Sequence, residues 1–368
     1  SNNDFFLIFN LFMNDINDKR QINEFRGITF SGFKKSAAKK ELLNSLNDGK
    51  IEQSSYWSGE FICAGHFLDV WEMILLYCGK YIHLGNPNLP RYIHLRYENF
   101  KEIVNDGYNG KELSLRNNVK IRKLFAEIMS ILCLANKKHP FSSHKVKKTD
   151  FEAVEMTDKL KATNVEFAKA VFKDDDPNEF YIAINELVYH LQETKNVAMC
   201  CYWVEWVFEF EALAKREKKK KFFCQTREFA PVDPKFQKDI VWIIWNIFLH
   251  LSISKKGMTE IIKALVNIFS IRYKPGSKKK RKFLIYFAIS LFTENININT
   301  PIYNDSSKPT IENIKGKIDL IYQQIKKNEI KPETNYLFNN SICENSNLEN
   351  TIQKLDKIES LSYFIPRK

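Results

Sequence analysis

Glycine and proline are scarce in this chain, at 12 and 11 of 368 residues. An architecture of short strands needs a turn residue every ten positions or so, and that supply is missing. Helices joined by Asn, Asp and Ser loops are expected instead. Motif chemistry is missing as well. No Cys-x-x-Cys or His-x-x-x-His pair occurs, and Cys200-Cys201 is too tight for an ordinary chelate, so no metal site is expected. Gly110-Lys111 lacks the earlier glycine of a phosphate-cradling loop, because Asn105 stands in its place. No catalytic residue and no cofactor is read, and a non-enzymatic protein is expected. The longest apolar run, 240–254, is interrupted by Asn246 and His250 and is shorter than the roughly 18 residues that span a bilayer, so no integral membrane span is expected. Phe5 to Met13 is apolar but preceded by Asp4, and no secretory signal is visible. The seven cysteines are odd in number, widely spaced and set in apolar helical patterns, which predicts buried free thiols in a reducing compartment.

What the chain does have is unevenly placed positive charge. Its net charge is +12, yet residues 215–282 hold nineteen Lys and Arg against five Asp and Glu, a net of +14 that leaves about −2 for the rest. The same stretch contains Val241-Trp242-Ile243-Ile244-Trp245-Asn246-Ile247-Phe248-Leu249, so it is folded core and not a tail. A folded lobe presenting a cationic face implies a polyanion or an acidic protein as partner.

With 44% hydrophobic residues, the chain is long enough for two cores. Residues 1–50 read as an N-terminal arm and a short amphipathic helix running through Lys34, Lys35, Lys39 and Lys40 into Leu42 and Leu43. A first helical lobe follows over 51–135, marked by Phe61, Leu68, Trp71, Leu75 and Cys78 and later by Ile121, Leu124, Phe125, Ile128, Ile131 and Leu132 at helical spacing. Residues 136–176 are a polar linker, with lysines at 137, 138, 145, 147 and 148 and a short helix expected around 165–172. Asp176-Pro177 with Glu179 predicts a capped helix start. The second, basic lobe runs over 177–295. It carries two tryptophan pairs, Trp203/Trp206 and Trp242/Trp245, offset by 39 residues; that period is compatible with paired helices stacked as a solenoid, and equally with chance in a helix-rich chain. Residues 296–368 form an Asn-rich C-terminal arm with two helices, one on Ile311, Ile314, Ile318, Ile321, Tyr322 and Ile325 and one over 348–361.

Several clusters invite chemistry. His66, His83 and His94 lie close in sequence but show no shared face with carboxylates, and read as core or surface histidines. Glu205 and Glu209 share a helix face, with Glu211 beyond them; an acid-base pair has this spacing, but the plainer reading sets them against Lys215, Lys218 and the lysines that follow as a solvated ion-pair surface. The lysine clusters are the strongest candidates. Lys218-Lys219-Lys220-Lys221 abuts Phe222-Phe223, and Lys278-Lys279-Lys280-Arg281-Lys282 abuts Phe283-Leu284, an arrangement that tracks phosphates while rings stack on bases. A charge run is also how a solvated loop reads, and the second cluster has the composition of a nuclear-import patch. Phe222 and Phe283 are expected in the core. The candidate partner-binding residues are Lys215, Arg216, Lys218, Lys219, Lys220, Lys221, Lys255, Lys256, Lys278, Lys279, Lys280, Arg281 and Lys282.

The stretches 26–35 (RGITFSGFKK), 56–67 (YWSGEFICAGHF) and 82–90 (IHLGNPNLP), continuing through Arg116-Asn117-Asn118 and Asp175-Asp176-Pro177 to the second Trp pair, resemble an uncharacterised helical protein family of nucleocytoplasmic large DNA (giant) viruses. That resemblance implies a viral origin and brings no activity. Tyr56-Trp57 leading to Gly65, with an Asn-Pro break after the next helix, is faintly similar to the C-terminal helical domain of clamp-loader-like replication and repair ATPases, whose ATPase domain has no counterpart here. Together these readings predict an all-α protein of two packed multi-helix lobes with a C-terminal arm. The expected role is a non-enzymatic scaffold or virion component of a large DNA virus, in the virion, the host cytoplasm and viral factory, or the nucleus. Its basic second lobe would bind nucleic acid or an acidic viral protein, beside other virion or replication proteins. The rivals are a purely structural minor capsid protein bridging other capsid proteins and an accessory subunit of a replication or other enzyme complex.

Overall fold

The computed structural model describes residues 14–138, 145–217 and 219–331. The expected helix at 348–361, Cys343, the apolar stretch 5–13 and Lys218 lie outside these or largely so. The protein is all-α: among the described residues the only strand-like pairing is one isolated bridge between Ile28 and Lys34. The larger of two compact units takes in Arg20–Glu329. In the smaller, Lys19 donates its N–H to the Ile330 carbonyl at 2.9 Å and Ile330 donates to Asp18 Oδ2 at 2.9 Å.

The first helices follow their apolar periodicity. α1 (Lys35–Asn47) buries Ala38, Leu42, Ser45 and Leu46 on one face. α2 (Ile51–Cys63) ends at Gly65, whose φ of +76° closes the turn without the strain a Cβ would bring there. α3 (Phe67–Tyr77) carries Val70, Trp71, Ile74 and Leu75 into the core and continues into a π-type turn, Cys78–Ile82. α4 (Leu89–Asn105) starts with Pro90 in its first turn, where a missing N–H costs nothing. α5 (Val119–Leu134) is capped by Asn118, whose side chain accepts from the N–H groups of Lys120 and Ile121 at 2.8 and 3.1 Å.

In the second half, α6 (Ala153–Lys159) and α7 (Tyr181–Tyr189) precede the long α8 (Val197–Glu217). α9 (Val241–Ser252) is apolar over most of its surface and buries Val241 to Trp245, Ile247 and Phe248, leaving His250 exposed. α10 (Met258–Phe269) packs on α4 and α9, the four-residue α11 (Ser277–Lys280) follows, and α12 (Lys282–Thr293) packs against α8, α9, α10 and the Cys78–Ile82 turn. α13 (Lys308–Lys326) lies on α2 and α5 with Ile311, Ile314, Ile318, Tyr322 and Ile325 buried. Each fully buried isoleucine is worth about 1.5–3 kcal/mol, so this helix is a component of the core. Arg122, buried against it, donates to Asp319 at 2.8 Å and stacks over the Tyr322 ring at 4.4 Å.

Two local expectations are corrected. Residues 165–172 form turns and no helix, while a short helix occurs at Ala153–Lys159 instead. Asp176 does not cap a helix: its carboxylate is buried and accepts from the backbone of Lys173 and Gln225 and from the Arg227 guanidinium, and α7 is entered through a single 3-10 turn, Asn178–Phe180. The two Trp-pair helices are 21 and 12 residues long, the first followed by an irregular stretch to residue 240 and the second by a tight turn at Ile253 to Gly257. Six cysteines, at 63, 78, 133, 200, 201 and 224, are buried thiols outside any disulfide. No described helix is long and apolar enough to cross a membrane.

Candidate nucleic-acid interface

α8 organises the cationic surface. Its inner face carries Cys200, Cys201, Trp203, Val204 and Val207 into the core, so its last turn projects outward with Lys215 and Arg216 exposed. Positive charge there complements the partial negative charge of the helix end. The chain then turns back through Lys219, which has a left-handed φ of +51°, and the Lys220 N–H returns to the Ala214 carbonyl at 3.1 Å. A non-glycine residue held in that conformation costs about 1–2 kcal/mol. From Lys221 to Cys224 the chain is neither helix nor turn, and burial alternates as along an extended strand: Phe222 and Cys224 are buried, Lys221 and Phe223 exposed.

Phe222 is core, as expected, packed on Phe180 at 4.9 Å and on Phe210 at 5.8 Å between ring centroids. Phe210 in turn stacks on Trp206 at 4.9 Å. On the other side of these rings lies Phe151, 5.2 Å from Trp206 and 5.6 Å from Phe210, while the Trp206 indole donates to the Asp150 carbonyl at 3.3 Å. The polar connection 145–159 is thereby fastened along α8, and Lys148 reaches Glu217 at 3.0 Å. Lys148 therefore stands beside the cluster that begins at Lys215, while Lys145 and Lys147 lie by Tyr202, further back along α8. Lys147 and Lys159 both act on the Asp150 carboxyl: burial raises its pKa, but the Lys159 bond at 2.8 Å, the Lys147 N–H and the two ammonium charges hold it below the usual range.

The second lysine cluster behaves differently. Lys278 and Arg281 have 8% and 1% side-chain exposure and turn inward. Lys278 bridges Glu211 and Asp239, the latter at 2.8 Å; Arg281 takes Glu72 in a two-pronged contact and donates to the Phe269 carbonyl at 2.6 Å. Lys282 pairs with buried Glu205 at 2.7 Å, Lys279 meets Glu209 on the surface at 2.5 Å, and Lys280 is exposed. Glu205, Glu209 and Glu211 of α8 thus pair with these residues, whereas Glu217 meets Lys148 and Arg216. Lys255 is half-buried against Phe292, its ammonium 5.0 Å from the ring and its pKa lowered by burial and then by Lys195, while Lys256 is exposed on the turn after α9. Phe283 is partly buried, with the Lys80 ammonium 5.2 Å from its ring centroid.

Around Lys278 two carboxylates share one ammonium. Burial opposes the Lys278 charge, but Asp239 and Glu211 together raise its pKa; burial and the Asp239 charge leave Glu211 above the usual carboxylate range despite Lys278. Glu211 lines a recess with Lys215, Lys220, Lys221, Phe222, Phe223, Lys235, Phe236, Asp239 and Pro275, of about 390 Å³. A second recess of about 450 Å³ is lined by Lys145, Lys147, Thr149, Asp150, Glu155, Lys159 and Tyr202.

Among the described residues no group of His, Cys, Asp and Glu side chains is arranged to hold a metal ion. His66 hydrogen-bonds the Phe25 and Ile28 carbonyls, His83 is buried against Phe287, and His94 meets Asn267, so the three histidines go to separate neighbours.

No family model, curated protein or solved structure matches this chain.

The first cluster and the second lie in different settings, which periodicity alone did not separate. Sequence reading named Phe223 only within the Phe222-Phe223 pair, and passed over Lys235 and the lysines of 145–148 as members of this surface. A signal for Phe223 existed: in an extended Lys-Phe-Phe-Cys segment, burying Phe222 and Cys224 forces the ring between them outward.

Proposed function

We propose that this protein is a non-enzymatic scaffold that binds nucleic acid along α8 from Tyr202 to Lys215. The sequence resemblance makes the DNA of a large virus the expected ligand. The observation that carries the reading is the set Lys145, Lys215, Lys219 and Lys221: all are exposed, and among the described residues none has an acidic partner. Charges already paired within the fold contribute little field at a distance, whereas these four release counterions when they meet phosphates. From Tyr202 to Lys215 the helix rises about 20 Å, at 1.5 Å per residue. That length spans about six phosphates of one strand at 3.4 Å each.

Fluorescence anisotropy with a labelled oligonucleotide between about 50 and 200 mM salt tests this. The expected result is binding that falls steeply with salt, with the logarithmic slope reduced by about 3–4 when the four lysines become glutamine. Binding unaltered in that variant, or binding of polyglutamate but not of DNA, overturns the reading.

A further inference from the structure

We propose that the recess beside α8 receives one unstacked nucleobase carrying an amine at the place of cytosine N4 or adenine N6, so that the preferred ligand is single-stranded nucleic acid containing cytosine or adenine. This rests on the nucleic-acid reading above and assigns the ligand class. Three observations converge on it. Phe223 is 59% exposed, a large ring left in water at the rim of a cationic recess, and Phe236 forms another aromatic part of its lining. Every base has a π-face, and an exposed ring bordered by lysines is the usual platform on which a strand stacks. Second, the recess measures about 390 Å³, near the lower end of small-molecule sites, which run from about 300 to 1,000 Å³. It has room for a single nucleotide and not for a duplex.

Third, the lining is polarised. Lys215, Lys220, Lys221 and Lys235 are exposed, while Glu211 and Asp239 are the more buried part of the lining. Glu211 takes Lys278 through Oε2, and its Oε1 accepts from no described group. A nucleotide has the matching polarity, with phosphate at one end and, in cytosine and adenine, an exocyclic amine at the other. Carboxylates accept hydrogen bonds from such amines, whereas thymine offers a carbonyl oxygen at the equivalent place and meets the carboxylate unfavourably. Within a duplex the same amines are paired and stacked, so the recess discriminates against double strands.

The test uses the full chain and labelled 12-mers of dC, dA and dT together with a duplex of the same length. dC and dA strands are expected to bind roughly tenfold more tightly than dT. Phe223→Ala is expected to weaken single-strand binding roughly tenfold and to leave duplex binding unchanged. Because Phe223 is exposed, the variant should keep its fold, which circular dichroism melting checks. Equal affinity for all strands and the duplex, unchanged by Phe223→Ala, overturns the base site and leaves the lysine track standing. Absence of binding to every nucleic acid overturns the track as well.

Discussion

Arg227 and Asp176 are separated by 51 residues and enclosed to 1% and 0% side-chain exposure. The carboxylate also accepts from the Lys173 and Gln225 N–H groups at 2.8 and 2.9 Å, and the guanidinium donates to the Gln225 and Val171 carbonyls at 2.8 and 3.2 Å. These bonds tie the segment leaving the cationic turn to the loop before α7. Asp-Pro-x-Glu has the spacing of a helix start, so sequence assigns Asp176 to a cap; a guanidinium arriving from far along the chain is invisible to spacing. Arg227→Met leaves the carboxylate buried without its charge partner, and a loss of about 3–5 kcal/mol is expected from urea denaturation. Adding Asp176→Leu should restore most of it, because replacing both partners by apolar groups removes the uncompensated charge. A single variant as stable as the parent would show that the pair holds nothing together.

At the scale of elements, the long periodic helices are legible because burial of one face dictates their spacing. The runs of lysine are not, because charge count says nothing about which face is turned inward. Lys278, Arg281 and Lys282 stand three and four residues apart and go inward, toward Glu72, Glu205, Glu211 and Asp239. Those carboxylates sit on or beside three other elements, and their position depends on packing. The junction of α12 with the turn after α3 is similarly close. A Cβ built on Gly79 would stand 2.9 Å from the Phe283 carbonyl carbon and 3.0 Å from the Leu284 nitrogen, both backbone atoms that cannot rotate away. Gly79→Ala must therefore separate the two elements, and a destabilisation of about 1–3 kcal/mol is expected from thermal unfolding. No change in stability would mean that the contact is looser than described.

Across the whole molecule, the stretch read as a linker does not leave the helices on its two sides independent. Arg281 reaches Glu72, Asn267 meets the His94 ring at 3.0 Å, and the Asn86 and Asn88 amides donate to carbonyls at residues 298–302. Lys138 pairs with Glu294, and Phe287 packs on His83 at 5.1 Å. Much of this cross-bracing joins residues 72–138 to residues 267–302, and its buried members, Arg281 above all, lose their partners if either side opens. The larger unit should then unfold in one step, since opening half of it exposes unpaired charge and apolar surface on the other half. The six tryptophans make this measurable. Trp71 reports on α3, while Trp242 and Trp245 report on α9. With 5-fluorotryptophan incorporated, the native ¹⁹F resonances of Trp71 and Trp245, assigned through Trp71→Phe and Trp245→Phe, are expected to disappear at the same urea concentration. Two separated midpoints would show that the halves fold independently, and the cross-bracing would then be a surface contact between two domains.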